Sequence, residues 1–422
     1  MAEPLPTPML SEQFVDEFIE HTVTAKPGDH VGIVAMQLSA QVERDESMVY
    51  QLLESIMSAK ERDVRAEVIV DGRYVQHMTR IGNRDYPDYL PLANENQRSE
   101  RAATRTRTNT WLEELRQADV LVERHPQQLA RGYVPRLRQL GSLHIAQRLF
   151  AVVHSKAAFS ATAEGDFTAW LNMGNLTDSD LRMPSDSGEI GMNNVIMRTH
   201  GRTAAFIIQA VTSGFSPEAG THSYGDLVKM VHDTGNYGEP ARLPTILSEA
   251  LMAIDPRRDN KVRDPYHHTT PVPKAVLLLS QYAPNGMLAN ALTHAARQGA
   301  YVSVPLQPDT DYRSRNFPYN LNNALFKTRA IGHDTEKRAV PSHIKALIVT
   351  YHDGTAKLIL GTDNFVTNIQ KVVRNEEIAV VLSVDTKDPE EADYFIRLVD
   401  LLHDIGEVSG ETRRKLLDNV NN

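Results

Sequence analysis

The feature that most constrains this chain is an internal repeat of a short polar motif set between apolar segments. Residues 154–175 read HSKAAFSATAEGDFTAWLNMGN, and residues 343–364 read HIKALIVTYHDGTAKLILGTDN. Each copy carries His-x-Lys, then an acid-Gly pair, then an Asn 21 positions after the His. Unrelated segments rarely share all of these intervals, so the repeat predicts a chain built from two similar halves.

Both copies predict an antiparallel hairpin. Short apolar runs before and after Asp353-Gly354 are typical of buried strands, and the acid-Gly pair is typical of the turn between them. Glu164-Gly165 occupies the same place in the first copy. Residues two apart face the same side of a strand, and the second strand returns to where the first began. Three side chains of each copy are therefore expected to converge: His154, Lys156 and Asn175, and His343, Lys345 and Asn364.

Alternating strand and helix patterns precede both motifs. A buried strand, an amphipathic helix and a second strand in this order predict a parallel βαβ unit. The segments are residues 30–36, 47–60 and 66–70 in the first half, and residues 275–280, 287–298 and 301–305 in the second. The predicted fold class is α/β with two pseudo-symmetric halves, and the predicted domains are residues 1–265 and 266–422.

The repeated motif resembles the signature of the phospholipase D superfamily, which is H-x-K, a downstream Asp, and G-S-x-N. The second copy matches it with Thr362 in place of Ser. The first copy departs from it at Glu164, which replaces Asp, and at Asn172 and Met173, which replace Gly and Ser. Farther along the chain, Glu377 lies in a segment that resembles the family's N-x-E, whose carboxylate orients a catalytic histidine.

The resemblance implies that the two α-β-α halves form an intramolecular dimer with both motifs in one site. Two lysines and two asparagines would bind the phosphate oxygens without a metal or cofactor. One histidine would attack phosphorus to form a phosphohistidine, and the other would protonate the leaving oxygen. Substrate contacts are expected at Thr362, Asp353 and Glu164.

Two assignments of the histidines remain open at this point. The order usual in two-motif members of the family makes His154 the nucleophile. The position of Glu377, in the second half, instead favours His343 as the histidine whose ring a carboxylate orients. The family order is our working expectation.

Composition narrows the class of substrate only partly. The net charge of −9 argues against a general nucleic-acid binder, although the arginine-rich segment 98–116 could provide a local surface for binding nucleic acid. We expect a phospholipid or another phosphodiester as substrate, with a nuclease or a degenerate non-catalytic binding protein as alternatives. The chain has no cysteine, no apparent signal peptide and no apolar run that spans a bilayer. We therefore expect a cytoplasmic enzyme with peripheral membrane contact.

The pair His267-His268 has no Asp, Glu or Cys at metal-ligand spacing, so we interpret it as two solvated loop residues.

Overall fold

The chain forms two compact units, each built on a seven-stranded sheet. The first unit comprises residues 1–219, 233–240 and 372–378, and the second comprises residues 220–232, 241–371 and 379–422. The computed structural model describes residues 4–72, 75, 95–124, 153–172, 174–182, 191–213, 221–234, 245–255, 272–281, 283–284, 286–306, 338, 341–365, 376–418 and 420.

The strands of the first unit are β1 (Thr7–Leu10), β2 (His30–Ala35), β3 (Leu38–Ser39), β4 (Arg65–Asp71), β5 (Leu121–Arg124), β6 (Ala157–Ala161), β7 (Phe167–Asn172), β8 (Leu176–Thr177) and β9 (Val195–His200). Seven of them form one sheet in the order β1-β9-β7-β6-β2-β4-β5, and β3 pairs with β8. Strands β2, β4 and β5 are parallel, whereas β6 and β7 form an antiparallel hairpin beside β2.

The helices of the first unit are α1 (Ser11–Thr24), α2 (Met48–Glu61), α3 (Glu95–Gln117), α4 (Asp178–Leu181) and α5 (Gly201–Ser213). Side chains of α1, α2 and α3 pack in one apolar cluster with residues of the sheet, among them Trp170. Helix α5 contacts β6, β7 and β9. Neighbouring residues of a strand point to opposite faces, and no described residue of α5 belongs to the cluster formed by α1, α2 and α3. The helices therefore cover both faces of the sheet.

The strands of the second unit are β10 (Thr221–Tyr224), β11 (Val228–Thr234), β12 (Pro273–Leu279), β13 (Tyr301–Ser303), β14 (Ala346–Tyr351), β15 (Thr355–Gly361) and β16 (Glu376–Asp385). Their order is β10-β11-β16-β15-β14-β12-β13. The helices are α6 (Thr245–Ile254), α7 (Gly286–Arg297), α8 (Pro389–Asp404) and α9 (Gly410–Leu417). Helices α6 and α7 pack on the central strands in a second apolar cluster.

The two sheets share a core of five strands with the same order and the same directions. The series β9-β7-β6-β2-β4 of the first unit corresponds to β16-β15-β14-β12-β13 of the second. In each series only the last pair is parallel. The predicted α/β fold with two similar halves is confirmed, because both sheets contain the same five-strand core.

Several local predictions agree with the structure to within a few residues, and two features differ. The hairpin β10–β11 lies in a segment that the sequence analysis did not assign to a strand. The units also differ from the expected single break after residue 265, since residues 220–232 and 241–265 fall in the second unit and residues 372–378 in the first.

Candidate active site

The first motif lies at the open end of the β6–β7 hairpin. The Asn172 amide donates to the Lys156 carbonyl at 2.8 Å, which continues the strand pairing to the motif itself. Asn175 follows the end of β7, so it lies at the same end of the hairpin as His154. Lys156 is 2% exposed, and its Nζ donates to the carbonyl of His154 at 2.7 Å. The hairpin therefore brings the three predicted residues of this copy to one end.

The buried carboxylate of Glu377 orients His154. The ring Nδ1 lies 2.8 Å from Glu377 Oε2 and 2.7 Å from Oε1. The backbone amide of His154 also donates to the carbonyl of Glu376, at 3.1 Å. This geometry corrects the alternative that assigned Glu377 to His343, because residues 372–378 belong to the first unit, as His154 does.

The pairing determines which ring nitrogen of His154 can act as a nucleophile. An ionised carboxylate only accepts hydrogen bonds, so Nδ1 carries the hydrogen. In the neutral ring the lone pair then lies on Nε2. A carboxylate at Nδ1 also stabilises the positive charge that the ring acquires when Nε2 forms a bond to an electrophile.

The second motif repeats the arrangement of the lysine. Lys345 is 2% exposed, and its Nζ donates to the carbonyl of His343 at 2.8 Å, as Lys156 does to His154. The amide of Gly361 donates to the Lys345 carbonyl at 3.2 Å. Both lysines therefore have the same local geometry, in which a buried ammonium lies beside the backbone of its own histidine.

The side chain beside the ring of His343 differs from the one beside the ring of His154. The side-chain amide of Gln281 lies 2.9 Å from His343 Nε2. Gln281 presents a neutral amide to His343, whereas Glu377 presents a carboxylate to His154. Gln281 follows β12 at the carboxyl end of that strand, and the sequence analysis did not identify it.

The motif asparagines carry buried amide oxygens that have no hydrogen-bond partner in the described part of the chain. These atoms are Oδ1 of Asn175 and Oδ1 of Asn364. The backbone of Asn364 is fixed, since its carbonyl accepts from the Ser280 hydroxyl at 2.6 Å. Unsatisfied buried polar atoms are uncommon in proteins and often mark a place where a ligand or water completes the site.

The departures from the family signature in the first copy have a structural role. Asn172 Oδ1 accepts from the Gly174 amide and from Asn194 Nδ2, both at 2.8 Å. The same Asn194 amide lies 3.1 Å from the Asp180 carbonyl. Asn172 therefore orders the loop after β7, and Met173 lies outside the described residues.

The structure separates the two turn carboxylates from the motifs. Glu164 and Asp353 are exposed in the hairpin turns, at the ends of the strands opposite the histidines. At about 3.3 Å per residue, the strand from Lys156 to the turn spans roughly 16 Å. Asp353 instead accepts from the amide and hydroxyl of Thr355, at 2.9 Å and 2.7 Å. The expected substrate contacts at Glu164 and Asp353 are therefore not supported, whereas Thr362, which is fully buried beyond β15, lies near Asn364 in the chain.

The arginine-rich segment is largely helical, and its described arginines include two that take part in ion pairs. Arg107 contacts Glu43 at 2.7 Å and the carbonyls of Ala40 and Gln41. Arg116 contacts Glu123 at 2.7 Å. These contacts support a structural role for both side chains. The side chains of Arg98 and Arg101 and the pair His267-His268 lie outside the described residues.

The described residues contain no group of three or more His, Asp or Glu side chains that could hold a metal ion. Among the helices in these ranges, none has the length and apolar character needed to cross a bilayer.

Comparison with solved structures identifies the fold. The chain matches a phosphatidylserine synthase from Haemophilus influenzae Rd KW20 with a TM-score of 0.58 and 12% identity, over 96% of this chain and 87% of that one. It also matches a polyphosphate kinase from Porphyromonas gingivalis (TM-score 0.48, 10% identity, 95% of this chain) and a variant of yeast tyrosyl-DNA phosphodiesterase (0.45, 10%, 89% of each chain). The chain spans 50% of the length of that kinase. No protein-family model and no curated protein sequence matches it. At these identities the similarity shows the fold alone, which is the two-unit α/β fold of the phosphatidylserine synthase.

Proposed function

We propose that this protein is a phosphodiesterase or phosphatidyltransferase that acts on a phospholipid through a covalent phosphohistidine. The observation that carries the proposal is the buried His154–Glu377 pair beside Lys156. A histidine with Nδ1 bonded to a carboxylate presents a nucleophilic Nε2, and a buried ammonium next to it suits an anionic substrate. The fold similarity to a protein described as a phosphatidylserine synthase supports the phospholipid as substrate class.

In the proposed first step, His154 Nε2 attacks phosphorus and forms a P–N bond. The P–O bond to the leaving alcohol breaks, and His343 donates the proton that the leaving oxygen requires. In the second step, the oxygen of water or another alcohol forms a bond to phosphorus, the P–N bond to His154 breaks, and His343 accepts the proton of the attacking hydroxyl. Water gives hydrolysis, whereas an alcohol gives phosphatidyl transfer.

The lysines and asparagines complete the proposal as the phosphate-binding groups. Lys156 and Lys345 offset the charge of the non-bridging oxygens, which increases as phosphorus becomes five-coordinate. Asn175 and Asn364 contribute amides whose buried oxygens have no partner among the described residues. These groups supply positive charge and hydrogen bonds from the chain itself, so the reaction has no step that needs a metal ion.

The test is a direct assay of the purified protein on two substrate classes. Glycerophospholipid vesicles with a labelled headgroup and labelled single-stranded DNA are incubated in parallel, each with and without EDTA. We expect release or exchange of the lipid headgroup, and we expect it to persist in EDTA because lysines and imidazoles carry the charge.

Three results would contradict the proposal. Turnover of DNA alone, with strong inhibition by salt, would favour a nuclease instead. Loss of activity in EDTA with recovery on addition of zinc or magnesium would exclude the metal-independent mechanism. Turnover unchanged in His154→Ala would exclude this residue as the nucleophile.

A further inference from the structure

The segments that carry His154 and Glu377 are joined by an isolated parallel β-bridge. Val153 forms a parallel bridge with Glu376. The amide of His154 donates to the Glu376 carbonyl at 3.1 Å, and the Ser155 hydroxyl lies 3.3 Å from the same oxygen. The distance between the imidazole and its carboxylate therefore depends on how residues 153–155 and 376–377 are held.

Each segment is anchored to the carboxyl end of a parallel strand in the first unit. Asp71, the last residue of β4, accepts from the Val153 amide at 3.1 Å. Arg124, the last residue of β5, lies with Nη1 at 3.7 Å from Glu376 Oε1. Asp71 and Arg124 are partners in the β4–β5 register, so one edge of the sheet holds both segments.

Arg124 is itself fixed on its other side. Its Nη2 donates to the carbonyl of Val211 and, at 3.0 Å, to the carbonyl of Thr212, in the last turn of α5. A cation at the carboxyl end of a helix satisfies carbonyls that lack a partner within the helix. The guanidinium thus connects α5 to Glu376.

The ion pair between Arg124 and Glu376 is buried, so its loss would affect the position of residues 376–377. The Arg124 side chain is 11% exposed, and that of Glu376 is fully buried. Burial lowers the pKa of the Arg124 guanidinium, and the charge of Glu376 opposes that effect. Loss of the guanidinium would reduce the positive charge beside a buried carboxylate, which favours its movement toward water or its protonation, and either change displaces the residue that follows it.

We propose that Arg124 is a positioning residue for the candidate active site: it fixes Glu376 and thereby places the carboxylate of Glu377 on His154 Nδ1. The inference rests on the proposed function, in which His154 is the nucleophile. Nothing in the motif comparison points to Arg124, because it lies 30 positions before His154 and outside both motif copies.

The experiment compares three variants by ring ¹⁵N NMR of selectively labelled histidine, which reports the tautomer of His154 whether or not a substrate is known. The variants are Arg124→Met, the double variant Arg124→Met with Glu376→Gln, and the control Arg198→Met. Arg198, on strand β9 of the same sheet, forms a partly buried ion pair at 2.7 Å with Glu17 of helix α1, so its loss controls for the general effect of removing a positive charge. Glu377→Gln identifies the signal that follows from loss of the carboxylate, and His154→Asn assigns it.

We expect Arg124→Met to lose the Nδ1–H signature of His154 and to lower kcat by about 10- to 100-fold, with KM changed by less than about 3-fold. The double variant removes the buried carboxylate charge together with the guanidinium, so its stability recovers, while the His154 signature and kcat remain altered because the anchor is absent. Arg198→Met should leave the signature unchanged.

Two outcomes would overturn the inference. One is a folded Arg124→Met protein whose His154 ring signals match those of the unaltered chain. The other is a double variant whose stability, kcat and His154 signature all match those of the unaltered chain. That pattern would indicate that Arg124 contributes to stability alone. If Arg124→Met does not fold, the double variant alone decides. If no substrate is turned over, the proposed function fails, while the NMR signature still tests the position of Glu377.

Discussion

At the scale of single residues, the structure gives the two repeated histidines different neighbours. His154 is paired with the carboxylate of Glu377, and His343 Nε2 lies 2.9 Å from the side-chain amide of Gln281. In the first repeat the ring of His154 therefore carries its hydrogen on Nδ1 and has its lone pair on Nε2. The roles of nucleophile and acid that we propose for the two histidines are tested by the variants below.

Replacement of Glu377 by Gln tests this division. A carboxylate favours the charged imidazole, so its loss makes His154 harder to protonate and moves the acidic limb of the pH–rate profile to lower pH. The maximal rate should fall by about 10- to 100-fold, because the amide no longer holds the Nδ1–H tautomer or stabilises positive charge. Measurement of kcat/KM between about pH 5 and pH 9 checks both effects.

The matched control for that experiment is Glu407→Gln, which alters another buried carboxylate, in the second unit, where Arg338 lies 3.2 Å away. Glu407→Gln should lower stability and leave the shape of the pH–rate profile unchanged. An unchanged profile in Glu377→Gln, or an equal shift in both variants, would contradict a specific effect on His154.

At the scale of elements, helix α1 carries a partly buried histidine, His21, that makes the stability of the first unit depend on pH. Phe14 and Phe18 pack against Trp170, with ring centroids 6.2 Å and 5.5 Å away, and His21 contacts the edge of the same indole at 5.0 Å. Burial lowers the pKa of His21, an effect that Glu17 and Glu20 oppose and Arg198 reinforces. The lowered value shows that folding disfavours protonation of this ring.

Stability should therefore fall in acid in a way that depends on His21. Since the folded pKa lies below the unfolded value of about 6.5, the neutral ring stabilises the fold above that pH, and stability is lost as the pH falls through the folded pKa. His21→Phe keeps an aromatic ring on Trp170 and should reduce the decrease in the free energy of unfolding between about pH 7 and pH 5.

Urea unfolding at several pH values measures this effect. The decrease should be reduced and not abolished, because burial also lowers the pKa of His200. His352→Gln, at an exposed turn residue, provides the control. An equal pH dependence in His21→Phe and the unaltered chain would exclude His21 as a source of it.

At the scale of the whole molecule, the chain repeats one five-strand core and varies what surrounds it. The strand order and directions of the core are the same in both units, whereas within the described residues β5 extends the first sheet and β10 and β11 extend the second. Strand β5 ends in Arg124, so the variation between the units supplies the residue that we propose to position the first histidine.

The two halves should therefore behave differently when the reaction is trapped. With a lipid analogue that has a good leaving group, His343→Ala should accumulate a phosphorylated protein, because the nucleophile remains and the acid is lost. His154→Ala should give no adduct. Lys156→Ala and Lys345→Ala should each lower the rate strongly, because each removes a positive charge from the phosphate.

Mass spectrometry of peptides from the trapped protein provides the measurement. A phosphorylated His343 in the unaltered chain would reverse the two roles and leave the reaction class in place. An adduct in His154→Ala would contradict the assignment of this residue as the nucleophile.

The sequence by itself determined the features that depend on local order. The equal intervals in residues 154–175 and 343–364 predicted two hairpins, and apolar periodicity predicted the βαβ strands that precede them, because side-chain direction within one element follows from its own repeat. The convergence of His, Lys and Asn at one end of each hairpin follows from the same geometry. The chemical roles of these residues remain predictions.

Only the tertiary structure determined which side chains lie beside each histidine. Glu377 lies 223 positions from His154, yet residues 372–378 return to the first unit and bring its carboxylate to that ring. Spacing along a chain carries no information about such a return, so sequence reasoning left open whether Glu377 serves His343. Arg124 and Gln281 were missed for the same reason, because contacts between distant strand ends arise only when the sheet has assembled.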